Sequence, residues 1–276
     1  MSEKGDLTAQ ESHFAFGKNW ASYAKLVTEA QIAEAVKGLE RLVGPSLEGK
    51  RFVDIGCGSG LHALAALRMG AAEVVALDVD HDSVSTTRDM LQSYAPGERW
   101  KVLEKSVFEV TPDALGTFDV VYSWGVLHHT GDMVRAVRMA AGLVRPGGSF
   151  VFALYRKTKL CWFWKHEKKW YSRAGRAGQG SARAIFVLVF RIAMALQGRS
   201  FRDYVAQYSG TRGMDFYHDV QDWLGGWPYE SISSEEVHSL MNTLNMTSDR
   251  EFVRPGIALG LFGAGCDEYV YKLMAR

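Results

Sequence analysis

The segment Asp54–Gly60 places one acidic side chain before glycines at every second position: Gly56, Gly58 and Gly60, with Cys57 between them. Glycine adopts backbone conformations that other residues avoid, and it lets a ligand approach the main chain closely. A short apolar stretch precedes the segment, and the helical pattern LHALAALRMG follows it. The first turn of a helix leaves backbone N–H groups available to a ligand. The pattern therefore predicts a strand, a tight turn and a helix that bind a nucleotide-like ligand at the edge of a doubly wound sheet.

A second acidic residue, Asp78, ends the next apolar segment of the chain, and Val79 follows it. A carboxylate at the tip of the second strand in such a fold can accept hydrogen bonds from both hydroxyls of a ribose. We therefore expect Asp54–Gly60 and Asp78–Val79 to form one binding site, in which Asp78 holds the ribose.

The glycine spacing separates two classes of cofactor. A dinucleotide-binding turn reads G-x-G-x-x-G, whereas here the third glycine comes one residue early and Leu61 stands in its place. Asp-x-Gly-x-Gly-x-Gly resembles motif I of the class I S-adenosylmethionine-dependent methyltransferases. The segments FDVVYSWGVLHHTGD and LVRPGGSFVFALY are similar to later motifs of that family, so the resemblance extends over residues 51–155.

This resemblance implies S-adenosyl-L-methionine as the cofactor and a Rossmann-like α/β fold. The family has a seven-stranded, mostly parallel sheet whose last strand is antiparallel and lies between strands five and six. The resemblance also implies that Ser106 and Val107 border the adenine, although the family usually has an acid where this chain has Ser106. Ser123 and Trp124, at the end of strand four, are expected near the methionine end of the cofactor.

Methyl transfer from a sulfonium needs an aligned acceptor and a site that excludes water, and a base helps when the acceptor is a hydroxyl. His129 is the first candidate base because it follows strand four at the edge where ligands bind such sheets. It also resembles a histidine often found there in the family. A structural histidine that closes the loop is the alternative. His218, oriented by Asp219 or Asp222, is the second candidate base.

The chain divides into a lid, a cofactor-binding half, a cap and a C-terminal part. Trp20 and Tyr23 of the aromatic lid, together with Tyr155, either contact the acceptor or only pack against the sheet. Residues 1–50 form an N-terminal helical lid, and residues 51–155 form the S-adenosylmethionine-binding half of the sheet. Residues 156–230 form a helical cap inserted after strand five, and residues 231–276 form a last helix with strands six and seven.

The first half of the inserted cap is strongly basic. Residues 156–183 contain nine lysines and arginines, one acid and three tryptophans. An apolar run of thirteen residues follows at 184–196, which is shorter than a bilayer-spanning helix, so no transmembrane segment is expected. Three interpretations stay open. The segment is a solvated face beside a core helix, or it contacts a membrane or lipid-like acceptor, or it attracts an acidic soluble acceptor.

The second half of the cap, GTRGMDFYHDVQDWLGGWPYE, sets polar side chains among aromatic ones. Arg212, Tyr217 and Asp219 of this segment are expected to contact the acceptor. The segment, with FAFGKNW near the N-terminus and GCDEYVYK near the C-terminus, resembles a bacterial subgroup of class I methyltransferases that modify sugars or small molecules.

Composition excludes several other classes. The net charge of +1 gives no overall attraction to nucleic acid, and no RNA-binding signature occurs. The three cysteines are odd in number and lack a C-x-x-C pair, which argues against a disulfide framework and against a bound metal. The polar N-terminus lacks the apolar core of a signal peptide, so we expect a cytoplasmic protein.

These observations predict a methyltransferase that acts on an oxygen of a small or amphiphilic molecule. Two other functions remain open at this point. The chain is alternatively an RNA or protein methyltransferase, or a cofactor-binding partner subunit without activity of its own. The sequence does not fix the oligomeric state.

Overall fold

A computed structural model describes Thr8 and residues 16–24, 26–212 and 215–274, with the side chains of 209–212 outside the description. Its centre is a seven-stranded sheet in the order β3-β2-β1-β4-β5-β7-β6. The strands are β1 Arg51–Ile55, β2 Glu73–Asp78, β3 Trp100–Glu104, β4 Phe118–Trp124, β5 Val144–Tyr155, β6 Met246–Phe252 and β7 Cys266–Leu273.

Eleven α-helices are assigned within the described residues, and short 3-10 turns at Val107–Glu109 and Leu127–His129 follow β3 and β4. The helices are α1 Gly17–Ala24, α2 Glu29–Val43, α3 Leu61–Arg68, α4 His81–Tyr94, α5 Pro112–Leu115, α6 Met133–Gly142, α7 Cys161–Arg173, α8 Arg176–Leu196, α9 Phe201–Arg212, α10 Phe216–Gly225 and α11 Ser234–Thr243.

The strand directions confirm the expected architecture. The pairs β1–β2, β2–β3, β1–β4 and β4–β5 are parallel, while β7 is antiparallel to both β5 and β6. The strand order reverses between β1 and β4, and the carboxyl ends of strands at such a switch point form the crevice where ligands bind. The glycine segment and the loop after β4 therefore emerge side by side.

Both faces of the sheet are covered, which explains why its central strands are nearly continuous apolar runs. One face packs against α2, α3 and α4, and its core includes Leu39 and Leu64. The other face packs against α6 and α11 and includes Val137 and Met241. The helix α11 begins at a capping box, in which the Ser233 hydroxyl accepts the N–H of Glu236 while the Glu236 carboxylate accepts the N–H of Ser233.

The helices α7–α10 form the cap between β5 and α11, and they have an aromatic core of their own. The indole N–H of Trp164 donates to the carbonyl of Gly260 at 2.7 Å, which joins the cap to the β6–β7 loop. The buried aromatic residues of this core are Trp164, Tyr171, Tyr208, Phe216, Trp223, Trp227 and Tyr229.

The helix α8 is longer than the apolar run suggested. It extends over 21 residues because the segment before the run is also helical, and it has the length and mean hydropathy of a bilayer-crossing helix. The prediction that this segment is too short to span a bilayer was therefore wrong with respect to the length of the helix. Only 6% of its most apolar stretch is buried inside the protein.

The N-terminal helix α1 lies between the sheet and the cap. The N–H of Gly17 donates to the Asp80 carboxylate at the start of α4, and the Asn19 amide donates to Asp222 of α10 at 2.7 Å. Residues 1–7, 9–15 and 25 of the expected lid lie outside the described residues.

Candidate functional site

A cavity of about 1550 Å3 opens at the carboxyl ends of β1, β2, β4 and β5. Residues from α1 and α2, the glycine segment, the loops after β2, β3 and β4, the β6–β7 loop and the cap line it. A single small-molecule pocket usually measures roughly 300–1,000 Å3. The cavity therefore has room for a cofactor and a second ligand.

The three glycines form one wall of the cavity in backbone conformations that favour glycine. Gly56, Gly58 and Gly60 have φ angles of 78°, 53° and 81°. A Cβ at Gly56 would lie 2.4 Å from a methyl carbon of Val126, and one at Gly58 would lie 3.2 Å from the Trp20 ring. The alternating glycines are thus required by geometry, and they leave the main chain accessible to a ligand.

The cysteine of this segment has a structural role. Cys57 is buried, and its sulfur accepts the Thr87 hydroxyl at 3.2 Å. The thiol pKa lies well above its usual value, because the site is buried and carboxylates lie nearby. The side chain therefore packs the loop against α4, while its backbone borders the cavity.

Two carboxylates flank the glycine segment, and both are at least partly buried. Asp78 accepts the N–H groups of Gly58 and Asp80, each at 3.0 Å, and burial raises its pKa to about 6. Asp54 is also buried, and burial together with the charge of Asp78 raises its pKa to about 7. One oxygen of Asp54 has no hydrogen-bond partner among the described residues. A buried, unpaired carboxylate oxygen is costly unless a ligand supplies a donor.

The loop after β3 supplies the next part of the wall. Ser106, Val107 and Val79 line the cavity beside Asp78. The Ser106 hydroxyl accepts the N–H of Phe108, which fixes the 3-10 turn. These are the residues that the family resemblance places beside the adenine, and the structure brings them together with Asp78.

The two residues expected near the methionine end differ in their surroundings. Trp124 lines the cavity and donates its indole N–H to Glu268 of β7 at 2.9 Å. Ser123 is fully buried, donates its hydroxyl to the Ile55 carbonyl at 3.0 Å and does not line the cavity. Side chains alternate along a strand, so Ser123 ties β4 to β1 while Trp124 faces the ligand edge.

His129 lines the cavity directly after β4. Its Nδ1 lies 2.7 Å from the carbonyl oxygen of Pro228, which only accepts hydrogen bonds, so this nitrogen carries the proton. In the neutral ring the lone pair is then on Nε2. A Cβ at Gly226 would lie 2.6 Å from the ring. The loop after α10 therefore fixes both the tautomer and the orientation of His129.

The second candidate base is arranged differently from the expectation. His218 does not line the large cavity; its Nδ1 pairs with Asp215 at 2.8 Å and its Nε2 lies 3.2 Å from the Ser22 hydroxyl. Neither Asp219 nor Asp222 orients its ring. The cause is the helix N-terminus: Asp215 caps α10 and lies one turn before His218.

Much of the remaining cavity wall is aromatic. Trp20, Tyr23 and Tyr155, expected to contact the acceptor, all line the cavity, and so does Asp219, which accepts the Tyr208 hydroxyl. The other aromatic residues of this wall come from α8, α9, α10 and the β6–β7 loop: Phe186, Phe190, Tyr204, Phe216, Trp223 and Phe262.

Two expected acceptor residues are not part of this wall. Tyr217 is exposed and lines a separate surface pocket between α8 and α10. Phe216, one residue earlier, lines the large cavity, so the two aromatic side chains face different pockets. The side chain of Arg212 lies outside the described residues.

Asp222 joins the lid to the cap at the cavity. It accepts the Asn19 amide at 2.7 Å, and burial raises its pKa to about 8 against the effect of that hydrogen bond. A carboxyl with this pKa is mostly protonated at neutral pH. Asp222 is therefore a donor as well as an acceptor at the cavity wall.

Sequence reasoning missed Lys168, which it counted in an exposed basic run. The side chain is fully buried, its ammonium lies 3.7 Å from the centre of the Trp223 ring, and within the described structure that ammonium has no hydrogen-bond partner. Burial lowers its pKa. The signal was the spacing Trp164, Lys168 and Tyr171, which places the three side chains on one face of α7.

His62 and Glu268 were also missed, and both line the cavity. Glu268 forms an ion pair with Arg41 of α2 at 2.5 Å in addition to its bond from Trp124. Burial lowers the pKa of His62 to about 4, so its ring is neutral. Nothing local marks them, because their proximity depends on β7 inserting beside β5.

Comparisons with known proteins show the family of the chain. A family model described as a methyltransferase domain matches residues 27–243. The rRNA N(6)-adenosine-methyltransferase metl-5 of Caenorhabditis elegans is 29% identical over 176 residues, which are 62% of this chain and 81% of that protein.

Two further proteins are similar over different extents. The ubiquinone biosynthesis O-methyltransferase of Proteus mirabilis is 32% identical over 117 residues, 42% of this chain and 46% of that protein, so the chain spans less than half the length of this relative. The crystal structure of magnesium protoporphyrin IX methyltransferase from Synechocystis with bound SAH superposes with a TM-score of 0.52 at 13% identity, over 87% of this chain and 81% of that one. At that identity the likeness shows a shared fold.

The raised pKa of Asp222 leads to a stability prediction. The pKa of Asp222 is about 8 in the folded protein and 3.8 ordinarily, so the folded state binds the proton more tightly than the unfolded state does. The free energy of unfolding therefore decreases as the pH rises from about 4 to about 8. Asp222→Asn keeps an acceptor for Asn19 and removes the ionisation. We expect the variant to match the wild type near about pH 4 and to be more stable by about 1–3 kcal/mol near about pH 9.

Thermal denaturation at both pH values measures this difference. Asp89→Asn, which alters an exposed carboxylate of α4, is the matched control and should not change the pH dependence. An equal stability difference at both pH values would show that Asp222 does not titrate in the folded protein.

Proposed function

The chain belongs to the methyltransferase-domain family and is an S-adenosylmethionine-dependent methyltransferase. We propose that it methylates an oxygen atom of a small, amphiphilic molecule. The observation that carries this proposal is His129, an imidazole whose proton is fixed on Nδ1, in a cavity with an aromatic wall. Such a group is suited to accept the proton of a hydroxyl.

The residues beside the glycine segment fit the cofactor. Bound S-adenosyl-L-methionine supplies an activated methyl group on a sulfonium, with a neutral thioether as the leaving group. Asp78 would hold the ribose, since each carboxylate oxygen that accepts a backbone N–H can accept a second donor. Asp54 is buried and does not line the cavity, so its carboxyl would support the glycine segment rather than contact the ligand directly. The glycine main chain, Ser106 and Val107 would border the rest.

The remaining half of the cavity favours an acceptor with an apolar or aromatic body. Tyr155, Trp223, Phe186 and Phe190 supply large apolar surfaces, which bind by burial and by ring stacking. Asp219 and Asp222 supply a few polar atoms at the same wall, as is typical of small-molecule sites. A hydroxyl on an otherwise apolar molecule matches this combination.

Catalysis by the chain's own residues consists of positioning, exclusion of water and proton transfer. The Trp20 ring lies against the glycine segment and Tyr155 lies against His129 with ring centroids 5.2 Å apart, so both limit access of water. Nε2 of His129 accepts the hydroxyl proton of the acceptor. The Pro228 carbonyl stabilises the resulting imidazolium through Nδ1–H.

Labelled S-adenosyl-L-methionine tests the function directly. The full chain is incubated with a cell extract, and the product is divided into nucleic acid, protein, water-soluble small molecules and solvent-extractable small molecules. We expect the label in a small-molecule fraction, resistant to nuclease and protease. Label removed by nuclease or protease would replace the proposal by an RNA or protein methyltransferase. Cofactor binding without any transfer would indicate a partner subunit without activity.

Asp78→Ala should weaken S-adenosyl-L-methionine binding by about 1–3 kcal/mol, because charge-assisted hydrogen bonds to the ribose are lost. Asp78→Asn should have an intermediate effect, since one oxygen acceptor remains. Calorimetric titration measures both, with Asp89→Ala on the exposed side of α4 as the control. Unchanged affinity in a folded Asp78→Ala variant would exclude this role. NADH should not bind, because the glycine spacing does not suit a pyrophosphate.

His129→Gln should lower kcat about 100-fold or more while cofactor affinity changes little, because a general base contributes that much to a proton transfer. The wild-type rate should also fall at acidic pH, where the imidazole is protonated. Steady-state kinetics with the identified acceptor measure both effects. His166→Gln, on the exposed side of α7, is the control. Full activity of His129→Gln would indicate catalysis by alignment alone, as expected for a carboxylate acceptor.

A further inference from the structure

The helix α8 exposes a stripe of large apolar side chains to solvent. Ile185, Leu188, Ile192 and Leu196 are 61%, 56%, 52% and 84% exposed, and Val189 is exposed beside them. Their spacing of three and four residues places them on one face over about three turns. A soluble surface rarely presents so continuous an apolar face unless a partner covers it.

The opposite face of α8 packs against the aromatic core of the cap and is partly buried. Phe186 and Phe190 line the large cavity and contact the ring of Phe262, with centroids 6.1 and 5.1 Å apart, and Met194 is buried. Because one face of α8 packs against the other helices of the cap, lipid cannot surround the helix on all sides. The length and hydropathy of α8 therefore indicate a helix that lies on a surface rather than one that crosses a bilayer.

The charge around this stripe has one sign. Residues 168–202 contain eight lysines and arginines and no acidic residue. Apart from the buried Lys168, the cations include exposed residues before, within and after α8, among them Arg173, Arg176, Arg191 and Arg199. An apolar helix face with cations around it complements the surface of an anionic phospholipid bilayer.

A small pocket of about 360 Å3 lies at the edge of the stripe. Leu188 belongs to both, and Arg183, Arg191 and Tyr217 supply the polar part of the pocket. The Arg183 guanidinium donates to the Tyr171 hydroxyl at 3.0 Å. The Arg191 guanidinium lies 5.3 Å from the centre of the Phe201 ring. Two held guanidinium groups above an apolar floor suit a phosphate that carries acyl chains.

Exposed tryptophans lie on the neighbouring helix. Trp162 and Trp170 of α7 are both more than half exposed, and Trp170 approaches Gly178 at the start of α8. Tryptophan is enriched where proteins meet the interface of a bilayer, because its ring is apolar and its N–H is polar.

We propose that the α8 face docks on the surface of an anionic phospholipid bilayer, with a headgroup phosphate between Arg183 and Arg191 and the apolar stripe among the upper acyl segments. The other side of the same helix lines the cavity, so α8 is then the wall between the bilayer and the site. The proposal goes beyond the reaction itself and does not depend on the identity of the acceptor.

Vesicle flotation of the full chain tests the docking without any methyl transfer, so its failure leaves the proposed function unaffected. Vesicles of phosphatidylcholine alone are compared with vesicles that also contain phosphatidylglycerol. We expect the protein to float only with the anionic vesicles and to dissociate as salt is added, because exposed charges are screened within about 10 Å at 0.1 M. Free inorganic phosphate should compete poorly, since it offers no apolar contact.

Two variants with matched controls separate the electrostatic contribution to vesicle binding from the apolar contribution. Arg191→Gln should weaken binding about fivefold at low salt, the effect expected for one cation near an anionic surface. A double variant, Ile185→Gln with Ile192→Gln, should abolish flotation. The controls change an arginine and an exposed β-branched apolar residue of α6: Arg138→Gln and Val134→Gln should leave flotation unchanged. Cofactor titration of every variant verifies that it is folded.

Several outcomes would overturn the proposal. These are the absence of flotation, equal flotation with neutral vesicles, and equal losses in the α6 controls. A dimer in light scattering that dissociates in the Ile185/Ile192 double variant, without vesicle binding by the wild type, would show that a second copy of the chain covers the face instead.

Discussion

A partly buried carboxylate at the tip of β2 connects the elements that form the site. Asp78 accepts the N–H groups of Gly58 and Asp80, and Asp80 in turn accepts the N–H groups of Gly17 and Ser83. One chain of hydrogen bonds thus joins the glycine segment, the start of α4 and the start of α1. Because these donors are backbone groups, the arrangement depends on the path of the main chain more than on the identity of the neighbouring side chains.

Three carboxyl groups in or next to the cavity are shifted toward their neutral forms. Burial raises the pKa of Asp54, Asp78 and Asp222 to about 7, 6 and 8. Such groups are retained where a ligand compensates for the lost hydration, and clusters of shifted groups are typical of functional sites. Lys168, buried with its ammonium against the Trp223 ring, extends this polar cluster beneath the aromatic wall.

The sheet and the cofactor side of the site could be predicted from sequence because their signals are local. A strand, a turn that needs positive φ angles and a helix follow one another from Arg51 to Arg68, and the structure has that order. The position of β7 came from resemblance alone, and the sheet order confirms it.

The cap could be predicted only as a group of helices. Which face of each helix is buried depends on tertiary packing. The burial of Lys168 could therefore not be read from a segment that is basic throughout, and the partner of His218 is Asp215 rather than Asp222. The direction of a side chain on a strand was equally hard to predict. Ser123 lies at the end of β4 as predicted, but its hydroxyl donates to the carbonyl of Ile55 on the neighbouring strand and does not reach the cavity.

The packing of α1 has a consequence for the kinetic order of the reaction. The Trp20 ring lies against Gly58 on the cofactor side, while Asn19, one residue away, holds Asp222 on the cap side. A molecule that leaves past Gly58 must displace the same helix that closes the acceptor side. Movement of α1 would therefore open the cofactor side and the acceptor side together, so that exchange of the spent cofactor and release of the methylated product would share one gate.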